Sequence, residues 1–205
     1  MRPRHEICET SALTKMEQVA DAARRLFARY GYKRTSMDDI AREAGVAKGT
    51  LYLHFKGKDD VFRTMMRRTA DLVLERCDAA LASGAPFAER LEGMLGAYYG
   101  TWIDLFGDPA HWGELVLVKT QIAMDQAKEL EGLYIDRFRG FLAKAEADGE
   151  IDLSRAGTDA DQLCQTLMQA ALGAKSGTPP TQEEFRQRLR NIARLAAAAL
   201  TRYAD

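Results

Sequence analysis

Residues 36–55, SMDDIAREAGVAKGTLYLHF, are the stretch of sequence that decides the fold. Ser36 stands where a serine caps a helix, and Asp39 three residues later completes a Ser-x-x-Asp capping box. Apolar and small residues follow at helical spacing. Gly45 then allows the left-handed backbone conformation that often ends a helix. The stretch therefore predicts two short helices, the second over residues 47–55, joined by a tight turn.

The second of these helices has two faces of different character. Leu51 and Phe55 are four residues apart and are predicted to face inward. The outward face carries Lys48, Gly49, Thr50, Tyr52 and His54. With no acidic residue between Ala47 and Lys58, this face suits a polyanion, and a helix-turn-helix places its second helix in the DNA major groove. On spacing alone, an ordinary helical hairpin inside an all-α domain is the alternative.

From Val19 to Phe62 the chain resembles the DNA-binding domain of the tetracycline-repressor (TetR) family of bacterial transcription regulators. The matching pieces are ADAARRLFARYGY, TSMDDIAREAGVAKGTLYLHF and KGKDDVF, in this order. The resemblance implies a three-helix DNA-binding domain over residues 15–60, an all-α regulatory and dimerisation domain over residues 61–205, and a homodimer. One departure is Ala47, where members of the family often have a serine that caps the second helix and can touch phosphate.

The resemblance also implies DNA contacts, residue by residue. Lys48 and Thr50 are the candidates for base edges, since lysine donates to guanine and a threonine methyl group packs on thymine. Gly49 would let the backbone come close to the DNA. The candidates for phosphate contacts are Thr35, Ser36, Tyr52, His54 and Lys58. For each of them a solvated helix face is the alternative.

Helical periodicity continues along the rest of the chain, without strand-like alternation, and predicts an all-α fold of about nine helices. Besides the two in the central stretch, the predicted helices are 15–30, 58–81, 87–106, 109–124, 126–147, 159–174 and a last helix capped by Thr181. Tyr30 belongs to the predicted inner stripe of the first helix, and Asp108 is a predicted N-cap. Residues 1–14 are predicted to be a mobile arm, in which Arg2 and Arg4 could contact the minor groove. A frayed, solvated terminus is the alternative.

Composition and charge restrict the class of protein. The chain of 205 residues is 46% hydrophobic and 29% charged, which is typical of a soluble globular protein. Its formal charge of −1 divides into +3 over residues 1–60 (12 Lys and Arg, 9 Asp and Glu) and −4 over the rest (17 and 21). This excess alone does not prove a nucleic-acid partner.

Cysteine usage and hydropathy predict which features the protein lacks. Cys8, Cys77 and Cys164 are far apart and no cysteine–histidine cluster occurs, so neither a disulfide framework nor a metal site is predicted. The sequence shows no long apolar run and no signal peptide, which predicts a cytoplasmic protein without a membrane span. No cofactor is predicted.

The middle third of the chain is rich in aromatic residues. Its candidates for a ligand-binding pocket are Tyr98, Trp102, Phe106, His111, Trp112, Tyr134 and Phe138. Pockets for small molecules are mostly apolar, so we expect an apolar or aromatic effector. Plain hydrophobic core is the alternative for each of these residues.

The last two predicted helices carry more apolar surface than one partner helix needs. By the family resemblance they pack against the same pair of helices from a second chain. The candidates for this interface are Leu167, Ala171, Leu189, Ile192, Ala196 and Ala199. A core within one chain is the alternative.

Together these features predict a ligand-responsive transcription regulator, a repressor that leaves a pseudo-palindromic operator when a small effector shifts the helix beginning near Lys58. An activator of the same fold, or a regulator without a small-molecule effector, is a close variant. The rival from another class is an all-helical enzyme. The sequence shows no nucleophile–base pair, no metal cluster and no Gly-x-x-x-x-Gly-Lys phosphate loop, so we do not expect an enzyme.

Overall fold

The computed structural model describes residues 4–106, 109–176 and 180–201, without the side chains of residues 4–14, 109, 110 and 112. In this part of the chain every regular element is helical, which confirms the predicted all-α fold. The helices are α1 (Arg4–Tyr30), α2 (Met37–Glu43), α3 (Lys48–His54), α4 (Lys58–Ala82), α5 (Phe87–Leu95), α6 (Thr101–Phe106), α7 (Pro109–Ile122), α8 (Met124–Ala147), α9 (Ala160–Gly173) and α10 (Gln182–Leu200). A π-helical turn joins α5 to α6, and a short 3-10 helix, Leu153–Ala156, precedes α9.

The chain divides into two compact units. The first comprises Met1–Ala70 and Leu105–Lys128, and the second comprises Asp71–Asp104 and Glu129–Asp205. The first unit contains α7 as well as α1, α2 and α3, because α7 packs against α1. The functional boundary at residue 60 remains a prediction.

Aromatic side chains of α1 and α4 form the centre of the first unit. The rings of Phe27 and Phe62 are buried, with centroids 5.9 Å apart. Tyr32 lies beside them, 5.1 Å from Phe27 and 5.5 Å from Phe62. Tyr30, which was predicted to face inward, is 45% exposed. The left-handed turn at Gly31 ends α1, and half-buried Tyr32 packs on the core rings in its place.

The start of α1 also differs from the prediction. The helix begins at Arg4 rather than at Lys15, so residues 4–14 are helical where a mobile arm was expected. Once a helix is nucleated, each added residue gains one backbone hydrogen bond, and no apolar stripe is needed to extend it. The side chain of Arg4, all of Arg2, and the predicted cap Asp108 lie outside the described residues.

The core of the second unit gathers around Tyr134 and Phe138 of α8, whose side chains are completely buried. The ring of Tyr134 stacks on Tyr98 with centroids 4.5 Å apart, and its hydroxyl donates to the carbonyl of Met94 at 3.2 Å. α10 packs along α5 and buries Phe185. The long amphipathic helices therefore bury these aromatic residues among themselves.

The helix over residues 87–106 widens at its middle. The backbone N–H of Thr101 donates to the carbonyl of Gly96, five residues back, which makes Gly96–Gly100 a single π-helical turn. Such turns inside α-helices occur frequently at functional sites. Because α5, this turn and α6 are continuous, the described residues form nine separate α-helical runs, as predicted.

The last helix begins as predicted. The backbone N–H of Glu184 donates to Thr181 Oγ1 at 3.2 Å, and the N–H of Thr181 donates to the Glu184 carboxylate at 2.7 Å. This reciprocal pair is a capping box, and it confirms the predicted start of α10. Within the described residues, no helix combines the length and apolar character that crossing a membrane requires.

Candidate nucleic-acid interface

The two short helices of residues 36–55 form as predicted. The N–H of Asp39 donates to Ser36 Oγ at 3.1 Å, and the N–H of Ser36 donates to the Asp39 carboxylate at 3.0 Å. Gly45 has φ +66°, the left-handed conformation expected at the turn. Leu51 and Phe55 are buried. The turn and the inward face of the helix-turn-helix are therefore confirmed.

The opposite face of α3 is accessible to solvent. The five predicted contact residues on this face are exposed or half-buried: Lys48, Gly49, Thr50, Tyr52 and His54. Leu53, which was missed in the sequence, is 79% exposed. It follows buried Leu51 by two residues, about 200° around the helix, and this spacing is the signal that could have placed it outward. An exposed leucine here offers an apolar contact beside the polar ones.

Lys48, a predicted base-edge residue, is paired within the protein. Its Nζ lies 2.8 Å from a carboxylate oxygen of Asp38 on α2, and both side chains are largely exposed. The hydrogen bond and the charge of Asp38 raise the pKa of Lys48. Exposed pairs of this kind are weak, so DNA can compete for the lysine.

Two predicted phosphate ligands, Thr35 and Lys58, are used inside the protein. Thr35 is buried, and its hydroxyl donates to the carbonyl of Gly31 at 2.8 Å. Lys58 Nζ donates to the carbonyls of Tyr32 at 2.7 Å and Thr35 at 2.8 Å. Burial lowers the pKa of Lys58. These contacts correct the expectation of two freely accessible ligands: both side chains hold the loop over residues 31–35, whereas Ser36 is exposed.

The same loop is held from another side by α7. The carboxylate of Glu114 accepts the backbone N–H of Lys33 at 2.7 Å. Gly31 has φ +82°, and a Cβ at this position would collide with the Glu114 carboxylate and approach His111 Nδ1 to 3.1 Å. A glycine is therefore required where α7 meets the loop that precedes α2.

Two arginines tie the segment that contains α7 to the other helices of the first unit. Arg24 of α1 donates to the carbonyl of Leu105 at 3.1 Å. Arg63 of α4 donates to the carbonyl of Ile122 at 2.9 Å. These bonds use carbonyl groups at helix ends, which lack partners within their own helix. A displacement of α7 would therefore disturb its hydrogen bonds to α1, α4 and the loop over residues 31–35.

The structure distributes the predicted ligand-binding residues over both units. Phe106, His111 and Trp112 belong to the first, and Tyr98, Trp102, Tyr134 and Phe138 belong to the second. Phe106, Tyr134 and Phe138 are buried, Tyr98, Trp102 and His111 are half-buried, and the side chain of Trp112 lies outside the described residues. Burial raises the pKa of Tyr98 to about 12. Tyr134 and Phe138 thus belong to the packed core of the second unit, and ligand contacts by the other predicted residues stay a prediction.

The predicted interface residues of α9 and α10 fall into two groups. Leu167, Ala171 and Leu189 are buried within the chain, which corrects their assignment to a surface for a second chain. Ile192 and Ala196 are half-buried, and Ala199 is exposed. The exposed leucines of these helices are Leu172, 62% exposed, and Leu195, 73% exposed, which the sequence interpretation did not assign to the interface.

The described part of the chain shows neither a metal site nor a reactive thiol. No three His, Cys, Asp or Glu side chains among its residues are arranged to hold a metal ion. Cys77 and Cys164 are buried free thiols, and burial raises their pKa values to about 12 and about 11. Thiols of this kind are unreactive at neutral pH.

Known proteins resemble this chain in sequence and in fold. Residues 19–65 match the model of the bacterial regulatory proteins of the tetR family. The fatty acid metabolism regulator protein of Bacillus subtilis (strain 168) is 29% identical over 140 residues, 67% of this chain and 71% of that protein. The A-factor receptor protein of Streptomyces griseus is 31% identical over 117 residues, 53% of this chain but 42% of that protein.

A solved structure extends the likeness in fold to most of the chain. A transcriptional regulator from Saccharomonospora viridis, crystallised in complex with choline, superposes with a TM-score of 0.62 at 21% sequence identity. The superposition covers 87% of this chain and 95% of that one. The matched segment, residues 19–65, contains the helix-turn-helix whose geometry is given above. Residues 19–65 therefore carry the DNA-binding segment of the tetR family of bacterial regulatory proteins, and the chain is a DNA-binding transcription regulator of this type.

Proposed function

We propose that this regulator is a repressor that binds a pseudo-palindromic operator as a dimer and leaves it when a small molecule binds. The observation that carries the proposal is the accessible face of α3, which presents Lys48 and Thr50 without an acidic residue on the same helix. In the operator complex α3 lies in the major groove, with these two side chains at base edges. Ser36, Tyr52 and His54 contact phosphates.

Binding to the protein's own upstream DNA tests this proposal. Fluorescence anisotropy compares that duplex with a scrambled duplex of equal length at several salt concentrations. We expect tighter binding to the upstream duplex and an affinity that falls as salt rises, because phosphate contacts release counterions. Equal affinity for both duplexes at every salt concentration would contradict operator recognition.

Variants of α3 separate base contacts from phosphate contacts. Thr50→Ser removes a methyl group and should lower the preference for the upstream duplex by a free energy on the order of 1 kcal/mol, with little change on scrambled DNA. Lys48→Ala should lower both the preference and the dependence on salt. If neither variant changes the ratio of the two affinities, α3 is not the recognition helix.

The proposed dimer forms through α9 and α10. Leu172 and Leu195 are the exposed leucines of these helices, and Ala199 follows Leu195 by one helical turn. Replacing Leu195 with glutamate should yield monomers, because a charge would enter an apolar interface. Leu117→Glu on α7 is the matched control, since Leu117 is 63% exposed. Sedimentation measures the state of each variant, and a monomeric wild type would contradict the proposal.

The proposed effector is a small molecule with apolar or aromatic character. The Saccharomonospora viridis structure, which holds choline, supports a small-molecule effector. The name of the Bacillus subtilis protein, a regulator of fatty acid metabolism, supports an apolar one. Half-buried Tyr98 and Trp102 are the candidates that could touch such a ligand. A bound effector at 100 times its dissociation constant would add roughly 2.7 kcal/mol to stability. An effector found by thermal-shift screening should bind more weakly to Trp102→Ala.

A further inference from the structure

A cleft of about 620 Å³ lies in the second unit, between α4, the helix over residues 87–106 and α10. Its volume lies within the range of pockets that hold small molecules. It borders the opposite side of this helix from Tyr98, so it is separate from the aromatic core. Small residues form its floor: Ala80, Gly93, Gly96, Ala97 and Gly100. Its other lining residues are charged, apart from Leu189 of α10.

The glycines of the floor have two roles: one allows two helices to touch, and the other two leave space open. At Gly93 an added Cβ would lie 2.7 Å from the Cβ of Ala80, so α4 and α5 are in direct contact there and close the floor. At Gly96 and Gly100 an added Cβ would meet no atom within 4 Å. These two glycines therefore face open space, and side chains in their place would occupy the cleft.

One end of the cleft carries two arginines and one carboxylate. Arg76 Nη1 lies 3.1 Å from one oxygen of Asp104, and Arg186 Nη2 lies 2.6 Å from the other. Arg76 also donates to the Thr101 hydroxyl at 2.7 Å. Asp104 neutralises one of the two positive charges, so this end has a net charge of +1. A guanidinium group has five N–H donors, and these contacts of the described residues occupy a minority of them.

The other end of the cleft is acidic. Glu92 is paired with Arg190 of α10 at 3.2 Å, and Glu89 is exposed one turn earlier. Along the helix, Glu92 and Asp104 are separated by about 18 Å at 1.5 Å per residue. An anion would therefore settle at the arginine end, where guanidinium groups fit carboxylate and phosphate oxygens, and not at the glutamate end.

We propose that this cleft binds a small anionic amphiphile, with its carboxylate or phosphate head at Arg76 and Arg186 and a slender apolar body along Gly96 and Gly100. Binding of this ligand to the cleft does not depend on whether the protein binds DNA. An effect of the same ligand on operator binding rests on the proposed function. A ligand wedged between α10 and the helix over residues 87–106 would touch both elements at once.

Calorimetric titration of the full-length protein tests the cleft, with octanoate and octyl phosphate as probes. Octylammonium and 1-octanol have the same chain without the negative charge and serve as ligand controls. We expect at least one anion to bind and neither control to match it. Arg186→Gln should weaken binding of that anion at least about tenfold, because a charge-assisted hydrogen bond is lost.

Filling the floor gives a second, steric test. Gly96→Leu places a side chain in the open cleft, while raising helix propensity, and should abolish binding of the anion. Gly140→Leu is the matched control: Gly140 is an exposed glycine inside α8 whose added Cβ also meets no atom within 4 Å. Circular dichroism checks that both variants are folded. Unchanged binding in folded Gly96→Leu, or equal binding of octylammonium or 1-octanol, would overturn the proposal, as would no binding of either anion.

The same ligand added to the operator complex separates the two proposals. Release of DNA from wild type, but not from folded Gly96→Leu, would support the cleft as the effector site. An anion that binds the wild-type cleft without releasing DNA supports the cleft and contradicts its regulatory role. Failure of the protein to bind its upstream DNA at all contradicts the proposed function and leaves the calorimetric result valid.

Discussion

The helix-turn-helix and the aromatic cluster of the second unit were both predicted to contact ligands, yet their predicted residues differ in accessibility. On α3 the five predicted contact residues are exposed or half-buried. In the cluster, Tyr134 and Phe138 are fully buried, with ring centroids 5.6 Å apart. The seven-residue helix α3 buries one side chain, Leu51, and exposes most of the others, whereas large aromatic side chains on long helices are drawn into the core. Residue type alone is thus a better guide to a surface than to a pocket.

The largest effect expected from this contrast is on stability. Phe138→Ala should lower the free energy of unfolding by about 3–5 kcal/mol, because it removes a fully buried ring and leaves a cavity. Tyr52→Ala on α3 is the control and should change it by less than about 0.5 kcal/mol, since Tyr52 is 49% exposed. Urea denaturation measures both. A small loss of unfolding free energy in Phe138→Ala would instead favour the interpretation that this ring lines a pocket.

A second prediction concerns the contact between α7 and the loop over residues 31–35. Glu114→Ala removes the acceptor of the Lys33 N–H and should speed hydrogen exchange at that amide about tenfold, by the loss of a hydrogen bond to a charged group. DNA affinity should fall with it, because the loop leads directly into α2. Glu114→Gln keeps an acceptor oxygen and should behave much like wild type. Equal exchange in all three proteins would show that α7 does not position the loop.

A third prediction sharpens the role of Lys48. Asp38→Asn releases this lysine from its ion pair and should raise DNA affinity several-fold. Glu43→Gln is the control: it removes another acid of α2, one that pairs with Arg25 at 2.9 Å and not with α3. Both variants gain the same non-specific attraction for phosphate. An equal gain in affinity by both would mean that Lys48 makes no special contact.

The smallest effect expected is on the pH dependence of stability that the capping box of α2 contributes. The hydroxyl and backbone N–H of Ser36 donate to the Asp39 carboxylate and hold the pKa of Asp39 below its ordinary value. Because the folded-state pKa is the lower one, the capping box stabilises α2 at pH values above the ordinary aspartate pKa. This contribution is lost as the pH falls through the folded-state pKa. Stability measured from pH 7 to pH 3 should fall less in Asp39→Asn than in wild type, and parallel curves would contradict the prediction.

The central stretch was predictable because its signals are local. The Ser36–Asp39 capping box and the left-handed Gly45 involve residues within a few positions of each other, and the structure reproduces both. The inward positions of Leu51 and Phe55 follow from helical spacing alone. The fold class was predictable for the same reason, since helical periodicity and helix breakers act along the chain.

Other features were decided by contacts between residues distant in sequence. Half-buried Tyr32 packs on Phe27 and Phe62, whereas Tyr30 is exposed. The ammonium of Lys58 donates to carbonyls of the loop over residues 31–35, more than twenty positions away. α10 packs on α5, and this packing buries Leu189 and leaves Leu195 exposed.

By itself, the sequence determined the all-α class, the helix-turn-helix and its outward face, because turns, caps and periodicity are properties of neighbouring residues. Only the tertiary structure decided which apolar side chains are core, which lysines are already paired, and where a cleft is open. Gly96 and Gly100 illustrate the difference: in the sequence they are helix-weakening glycines, and in the structure they face the free space of a cleft flanked by Arg76 and Arg186. A cleft is made by side chains from several helices, so no single segment of the chain encodes it.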